Sequence, residues 1–539
     1  MKLRLLIPLF LLIILFTLTA CGGETITTST PQSSTVTNTT KEPIMTTTPL
    51  TTTSPITEAP TPTSVTVDKS FTVICSSSAS SAEKEAANKI VNALSHFGVT
   101  LTVKNDSTAQ TGNEILVGKT NRQESLTAQN TLSEGGYAIE VCQNQAGGSS
   151  LVLSAIDEDG LALATKHLVL NYLSLDKKAT LPLPLSITHK KAGVTLKNGT
   201  LLSDYVIVYA KEGTMSDVNI QCAKYADAAH DFATLVEKFT GTPLTVVPDT
   251  ADLSSYEHLI LFGNTSLNED NIVYSASFYQ RGVPVYAARF LSSGNIALAG
   301  NNPISSYAAG EAFLAAIAEN NNDLNELSIV GEKDIIHVAC IGDSITYGTG
   351  SADPSIHSYP VYYQKMLGYD YYVEKYGAPS NSLIETDTPS YLNHNYFTKS
   401  AEAKPDVVIV MLGTNDTRPT RWADSAYKVW NEDRMQAFLD AGNKLVKNYR
   451  DANPNVQIIF ATCPYVPQAA DWTGNLQKYG NPHIKQVAEA NNCPVIDIFT
   501  YTKKNVGMFQ GGDGLHLKDE KYELLAEGFY ELTKNIIKK

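Results

Sequence analysis

The chain has 539 residues, of which 43% are hydrophobic and 18% are charged, so most of it can fold around apolar cores. Its formal net charge of −14 argues against a nucleic-acid-binding protein, which would carry basic stripes, and we expect no nucleic-acid partner. At about 150 residues per domain, this length allows three or four domains.

The N-terminus predicts an export signal. Two basic residues near the start are followed by an almost unbroken apolar stretch at 5–18 and by small residues before Cys21. Such a stretch is short for a membrane-spanning helix and is typical of a signal peptide. The ending LTAC resembles a bacterial lipobox, which implies a signal peptide over 1–20, lipidation of Cys21 and an extracellular protein anchored to the cell surface only by that lipid. A plain signal peptide and an uncleaved anchor are the alternatives.

Residues 21–68 are rich in Thr, Ser and Pro and contain few apolar residues. A segment of this composition cannot bury enough surface to fold. We predict an extended linker that separates the signal from the folded part of the chain.

Two stretches farther along the chain repeat each other. ILVGKTN at 115–121 matches LILFGNT at 259–265, and SLVLSA matches NIALAG after the same spacing. A helix is predicted before and after each copy, so each unit consists of strand, helix, strands and helix. We predict two tandem small α+β domains, a first repeat at 69–190 and a second repeat at 198–330. Glycan binding, a spacer role and plain structural packing all remain open for them.

From 334 to 539, apolar strands alternate with amphipathic helices, which predicts an α/β domain with a parallel sheet covered on both faces. Functional groups of such sheets lie at the carboxyl ends of the strands. The predicted strands are 335–341, 371–376, 407–412, 456–461 and 495–498, and the clearest helices are 425–449, 475–491 and 520–537.

Three short motifs lie near such ends. Ser344 follows the first strand in Gly-Asp-Ser, and Asn415 follows the third strand in Gly-Thr-Asn-Asp. Asp513 and His516 are three residues apart in Asp-Gly-Leu-His, a spacing that places both side chains on one face of a helical turn. Each motif has a simpler interpretation on its own, namely a helix cap, a turn and a solvated loop.

Taken together, GDSIT, GTND and DGLH resemble the motif blocks of the SGNH, or GDSL, hydrolase superfamily. The resemblance covers 334–539 and implies a flavodoxin-like α/β/α sandwich. It also implies that Ser344 is the nucleophile, His516 the general base and Asp513 the residue that orients it. The backbone N–H of Ser344 and the side chain of Asn415 would then stabilise the oxyanion.

One block departs from the superfamily pattern, which has Gly-x-x-Gly after the second strand. Here Gly377 fits the first glycine and Ser380 occupies the second position, so the expected oxyanion donor is the backbone N–H of Ser380. Tyr347, Gly377 and Trp422 are candidate substrate-binding residues. The weaker pocket candidates are Arg418 and Arg421.

No metalloprotease, Walker or dinucleotide-binding motif occurs, so we expect no metal or cofactor. The cysteines are scattered without a CxxC pair, and Cys340 is interpreted as a strand residue. His337 and His357 are expected to be structural.

The resemblance implies a carboxylic ester hydrolase. Since a surface-anchored enzyme with accessory domains suits a polymer, we expect O-acetyl removal from a polysaccharide or another acylated glycan. The alternatives are a lipase or lysophospholipase, an acyltransferase acting on envelope glycans, and a glycan-binding surface protein without catalysis.

Overall fold

The computed structural model describes residues 63–95, 97–110, 112–173, 177–211, 220–267, 285–300, 302–419 and 430–537. Cys21, Arg421 and Trp422 therefore lie outside the described residues. Within these ranges, no helix has both the length and the apolar character that a membrane crossing requires. The six cysteines in the same ranges are all free thiols.

The first repeat contains a mixed six-stranded sheet and helices packed on it. Its elements are β1 (Ser64–Thr66), β2 (Phe71–Cys75), α1 (Ser81–Ser95), β3 (Val103–Asn105), β4 (Asn113–Val117), α2 (Gln123–Gln129), β5 (Tyr137–Gln143), β6 (Ser149–Ala155), α3 (Glu158–Asn171), β7 (Thr180–Pro182) and β8 (Leu185–His189). The sheet order is β3-β2-β4-β6-β5-β8, with β5 antiparallel to both of its neighbours.

Strand β1 lies inside the range 21–68 that the sequence predicts as a linker. It pairs antiparallel with β7, and Val67, just after it, is 1% exposed. The alternation of Val65 and Val67 with polar residues provides an apolar anchor that the Thr- and Pro-rich composition conceals. The folded part of the chain therefore begins before the end of the predicted linker.

The second repeat has the same sheet topology. Its elements are β9 (Thr195–Leu196), β10 (Tyr205–Tyr209), α4 (Tyr225–Thr240), β11 (Val246–Pro248), β12 (His258–Phe262), β13 (Val285–Phe290), β14 (Ile296–Gly300), α5 (Pro303–Glu319), β15 (Asp323–Leu324) and β16 (Ser328–Glu332). The order β11-β10-β12-β14-β13-β16 matches the first sheet strand for strand. Apolar residues of both repeats contribute to one shared core.

The remaining elements form an α/β domain. They are β17 (Ile336–Gly342), α6 (Ser344–Tyr347), α7 (Tyr359–Leu367), β18 (Tyr371–Gly377), α8 (Asn395–Glu402), β19 (Val407–Met411), α9 (Glu432–Ala452), β20 (Gln457–Ala461), α10 (Ala470–Asn475), α11 (Asn481–Ala490), β21 (Val495–Ile496), α12 (Ile498–Lys504) and α13 (Lys521–Thr533). Every strand pair in its sheet is parallel, in the order β18-β17-β19-β20-β21.

This order is the flavodoxin-like order, so the predicted fold of this part of the chain is confirmed. Successive side chains of a strand point to opposite faces, and β17 follows this rule. Val338 and Cys340 enter one apolar core, whereas Ala339 and Ile341 enter the core on the other face. Cys340 is thus a buried strand residue.

The register of three strands gathers the predicted motifs at one edge. Gly342, the last residue of β17, is aligned with Gly377 of β18 on one side and with Met411 of β19 on the other. The loops that follow these three strands must therefore lie next to one another. They contain Ser344, Ser380 and Asn415.

Candidate active site

Ser344 begins the short helix α6 directly after β17, and it is not the residue that caps this helix. Asp343 is the cap, because its Oδ1 accepts a hydrogen bond of 3.0 Å from the backbone N–H of Ile345. Glycine is required before it, since a Cβ on Gly342 would lie 2.1 Å from Thr346 Oγ1. Asp343, and not Ser344, therefore caps the helix, and the Ser344 hydroxyl is free of a capping role.

The hydroxyl of Ser344 lies 2.8 Å from His516 Nε2, although the two residues are 172 positions apart. His516 Nδ1 lies 2.7 Å from Asp513 Oδ2. Since an ionised carboxylate only accepts hydrogen bonds, the proton of the neutral imidazole lies on Nδ1, and Nε2 can accept the serine proton. The structure thus brings the three predicted side chains into one hydrogen-bonded series.

The turn between Asp513 and His516 is fixed by the same carboxylate. Asp513 Oδ1 accepts hydrogen bonds from the backbone N–H groups of Leu515, at 2.9 Å, and of His516, at 2.7 Å. Partial burial would raise the pKa of Asp513, but these backbone bonds and the imidazole contact outweigh it and hold the pKa below its usual value. The carboxylate is therefore ionised at neutral pH, as the orientation of His516 requires.

Asn415 lies beside the nucleophile turn and is 5% exposed. Its Nδ2 donates to the carbonyl oxygen of Asn381 at 3.1 Å and lies 3.4 Å from Asp343 Oδ2. Burial raises the pKa of Asp343 to about 6. Through its contacts with Asp343 and Asn381, the amide of Asn415 links the loops after β17, β18 and β19, which the strand register places together.

Ser380 adopts the left-handed conformation, with φ of 64°. This conformation favours glycine, which explains why the superfamily pattern has glycine at the matching position. Gly377 has a different role, because a Cβ there would lie 2.2 Å from the backbone nitrogen of Tyr347. Its close approach to α6 accounts for the glycine, and the structure places it under the nucleophile helix as a packing residue.

The other candidates are placed as follows. Tyr347 ends α6 and is partly exposed. Arg418 is exposed, and its guanidinium carbon lies 5.6 Å from the centre of the Trp472 ring. His337 contacts Glu374 at 2.7 Å and His357 contacts the Tyr362 hydroxyl at 2.7 Å, so both have structural partners.

Comparison with known proteins identifies this part of the chain. The GDSL-like Lipase/Acylhydrolase family matches residues 340–524, which contain Ser344, Asn415, Asp513 and His516. Residues 340–524 are therefore similar to members of that family. The predicted superfamily resemblance is therefore confirmed for this part of the chain, and the α/β domain from β17 to α13 that contains it is called the GDSL domain below.

A curated relative of the GDSL domain is an acetylxylan esterase from Xylanibacter ruminicola. The two are 37% identical over 208 residues, which are 36% of this chain and 42% of that esterase. The chain thus spans less than half the length of this relative.

One solved structure similar to the domain is that of a variant of an acetyl xylan esterase from Geobacillus stearothermophilus. The two sequences are 21% identical, and the match covers 38% of this chain and 99% of that chain with a TM-score of 0.30. A lipase/acylhydrolase from Enterococcus faecalis has 21% identity, covers 37% of this chain and 96% of its own, and has a TM-score of 0.28.

Two residues of the GDSL domain escaped the sequence analysis. Trp472, on α10, is 9% exposed, and its Nε1 donates to the carbonyl oxygen of Thr414 at 2.9 Å, next to Asn415. Its position after the fourth strand, at the same edge of the sheet, is a signal that could have found it. The second is Asp343, which the motif contains but to which no role was assigned.

Proposed function

We propose that the protein is a serine esterase that removes O-acetyl groups from a polysaccharide. The observation that carries this proposal is the hydrogen-bonded series from Asp513 through His516 to Ser344. Similarity to an acetylxylan esterase supports the acetyl group and the glycan. The remaining steps follow from the chemistry of these side chains.

In the first step, Ser344 Oγ attacks the carbonyl carbon of the ester while His516 Nε2 takes its proton. Asp513 keeps the imidazole oriented and stabilises the imidazolium that forms. His516 then gives the proton to the oxygen of the leaving sugar alcohol, and an acetyl group remains bonded to Ser344. A water molecule activated by His516 hydrolyses this acyl-enzyme and releases acetate and the free serine.

The negative charge that develops on the carbonyl oxygen needs hydrogen-bond donors. The first N–H groups of a helix have no intrahelical partner, so the N–H of Ser344 at the start of α6 is suited to this role. We assign the other two donors to the N–H of Ser380 and the Nδ2 of Asn415. The 3.4 Å contact of Asn415 with Asp343 is the weaker of its two contacts and is the one that an oxyanion would replace.

The surroundings of the triad favour a short acyl group. Asp343, Asn381 and Asn415 are buried polar residues beside the nucleophile turn. A long acyl chain gains its binding free energy from contact with apolar surface, at about 25 cal/mol per Å², and polar residues supply little of it. An acetyl group needs far less apolar contact.

We further propose that the enzyme is anchored at the cell surface through a lipid on Cys21. The apolar stretch at 5–18 and the small residues before the cysteine support this. The linker that follows would hold the folded part away from the membrane, where polymeric glycans are accessible.

The test uses purified full-length protein, with Ser344→Ala as the control. Acetate release from acetylated xylan and acetylated mannan is measured beside hydrolysis of p-nitrophenyl acetate and p-nitrophenyl palmitate. We expect acetate release and a strong preference for the acetyl ester. A preference for palmitate would overturn the deacetylase proposal in favour of a lipase, and no hydrolysis of any ester would overturn the proposal of an esterase.

A further inference from the structure

A buried lysine lies directly beneath the nucleophile turn. Lys375 is in β18, opposite Cys340 of β17, and only 2% of it is exposed. Its ammonium donates to the carbonyl oxygen of Tyr347 at 3.1 Å, to the hydroxyl of Ser358 at 3.2 Å and to the carbonyl oxygen of Pro354. All three N–H groups of the ammonium are therefore used.

The contact with Tyr347 fixes the end of the nucleophile helix. The last carbonyl groups of a helix lack intrahelical partners, and a cation there is stabilised by the helix dipole. In α6 the carbonyl oxygen of Ser344 accepts from the N–H groups of Gly348 and Thr349, and that of Tyr347 accepts from Lys375. The ammonium thus holds the end of the one-turn helix that begins at Ser344.

The other two contacts, with Pro354 and Ser358, hold the loop between α6 and α7, which passes behind His516. A Cβ on Gly350 would lie 3.0 Å from His516 Cβ, so this loop lies against the imidazole-bearing residue. The N–H of Ala352 donates to Asp519 Oδ1 at 2.8 Å, which ties the same loop to the chain after His516. Lys375 therefore supports both partners of the 2.8 Å contact between Ser344 and His516.

Residues 220–222 of the second repeat pair with β18 beside this lysine. The backbone N–H of Lys375 donates to the carbonyl oxygen of Ile220 at 2.8 Å, and that of Cys222 donates to the carbonyl oxygen of Val373 at 3.1 Å. Gln221 forms an antiparallel bridge with Glu374. Ile220 and Cys222 are 6% and 1% exposed, and they enter the two cores on opposite faces of the sheet of the GDSL domain.

We propose that Lys375 is a positioning residue that holds Ser344 and His516 in register, and that residues 220–222 of the second repeat keep its ammonium buried. This inference rests on the proposed esterase function. It gives the second repeat a structural part in catalysis, in addition to any role in glycan binding.

The charge of Lys375 makes the inference sensitive to pH. Burial lowers the pKa of its ammonium to about 8, with Cys222 and Asp353 opposing the shift and Lys224 adding to it. The neutral amine has only two N–H groups for three acceptors. Above this pH we expect the support of the nucleophile turn to weaken and the turnover rate to fall.

The test compares Lys375→Gln with Lys365→Gln in the full-length protein. Lys365 lies on α7 and pairs with Asp227 of the second repeat at 3.1 Å, so it controls for general weakening of the same junction. With p-nitrophenyl acetate as substrate, we expect kcat of Lys375→Gln to fall about 10–100-fold with KM within about twofold, since small misplacement of catalytic groups is costly. The wild-type kcat should decline above pH 8, and the variant should lack that decline.

A folded Lys375→Gln protein with wild-type kcat and an unchanged pH profile would overturn the inference, as would an equal loss in Lys365→Gln. If Lys375→Gln does not fold, the wild-type pH profile decides, and a kcat that stays level to pH 10 contradicts the inference. Failure of the proposed function would look different, because the wild-type protein itself would then hydrolyse no ester.

Discussion

The first repeat, where Asp106 follows β3 and Arg122 follows β4, and the GDSL domain both bring charged side chains to the carboxyl ends of parallel strands, with opposite outcomes. In the first repeat, Arg122 forms two hydrogen bonds with Glu114, at 3.0 and 3.1 Å, and a third with the carbonyl oxygen of Asp106. Asp106 in turn accepts from the backbone of Ser77 and Asn121. These polar groups satisfy one another, and the network ends on backbone groups of its own fold.

In the GDSL domain, the corresponding network ends on a hydroxyl group that can react. Asp513 orients His516, and His516 accepts from Ser344. The comparison teaches that polar residues at this edge of a sheet do not by themselves make a site. What matters is whether the hydrogen-bonded series ends on a nucleophile placed beside donors for an oxyanion.

The largest effect should come from removing that nucleophile. Ser344→Ala deletes the atom on which the series ends, and we expect kcat for p-nitrophenyl acetate to fall by about 10⁴-fold or more, with the thermal midpoint nearly unchanged. The measurement is steady-state kinetics beside circular dichroism. If the variant kept a tenth of wild-type activity, Ser344 would not be the nucleophile. The network of the GDSL domain would then be a structural one, like that of the first repeat.

Asn415→Ala tests the donors beside the nucleophile. Loss of one oxyanion donor typically costs about 10²–10³-fold in kcat. We expect that loss with little change in KM, because the donor acts mainly in the transition state. The control is Asn505→Ala, just after α12. It removes another hydrogen bond from a side-chain amide to a carbonyl oxygen, that of Tyr501, and it should keep wild-type kcat. Equal activity of Asn415→Ala and wild type would remove Asn415 from the oxyanion site.

Arg122→Met tests the polar network of the first repeat. It leaves Glu114, which is 1% exposed, without its partner, and breaking a buried pair costs about 3–5 kcal/mol. We expect a lower urea midpoint and an unchanged kcat for the folded protein. The exposed pair of Lys238 with Asp159 provides the control, since Lys238→Met should change stability by less than about 1 kcal/mol. A large loss of kcat in folded Arg122→Met would show that this network also serves catalysis.

The smallest effect is expected at Ser380. Ser380→Gly keeps the backbone N–H and relieves a left-handed conformation that costs a non-glycine residue about 1–2 kcal/mol. The greater freedom of glycine in the unfolded chain offsets part of this gain. We expect kcat within twofold of wild type and a stability change of less than about 1 kcal/mol. A tenfold loss of kcat would indicate that the hydroxyl, and not the N–H, acts in the site.

The candidate catalytic residues could be predicted because they lie in short motifs that resemble those of a known superfamily. The three-residue spacing of Asp513 and His516 predicts a shared face, and a parallel sheet predicts that the loops after β17 and β19 are neighbours. The structure agrees, with His516 2.7 Å from Asp513 and 2.8 Å from Ser344. The contact between Ser344 and His516, which are 172 positions apart, was implied only by the resemblance to the superfamily.

Other features depend on such distant contacts or on local breaks. The pairing of 220–222 with β18 joins two segments whose register no local pattern specifies, so the role of Lys375 was not visible in the sequence. The helix predicted over 475–491 is interrupted by a π-helical turn at Leu476–Gly480, after which α11 begins with a proline in its first turn. Proline lacks the N–H that a continuous helix requires.

The central claim is that Ser344 Oγ is the nucleophile of an esterase. It is tested most directly by mass spectrometry after treatment with a fluorophosphonate. The claim predicts a single adduct that peptide mapping assigns to Ser344, with ester hydrolysis lost in proportion to labelling. Full hydrolytic activity in completely labelled protein, or an adduct on a residue other than Ser344 that accounts for the lost activity, would contradict it.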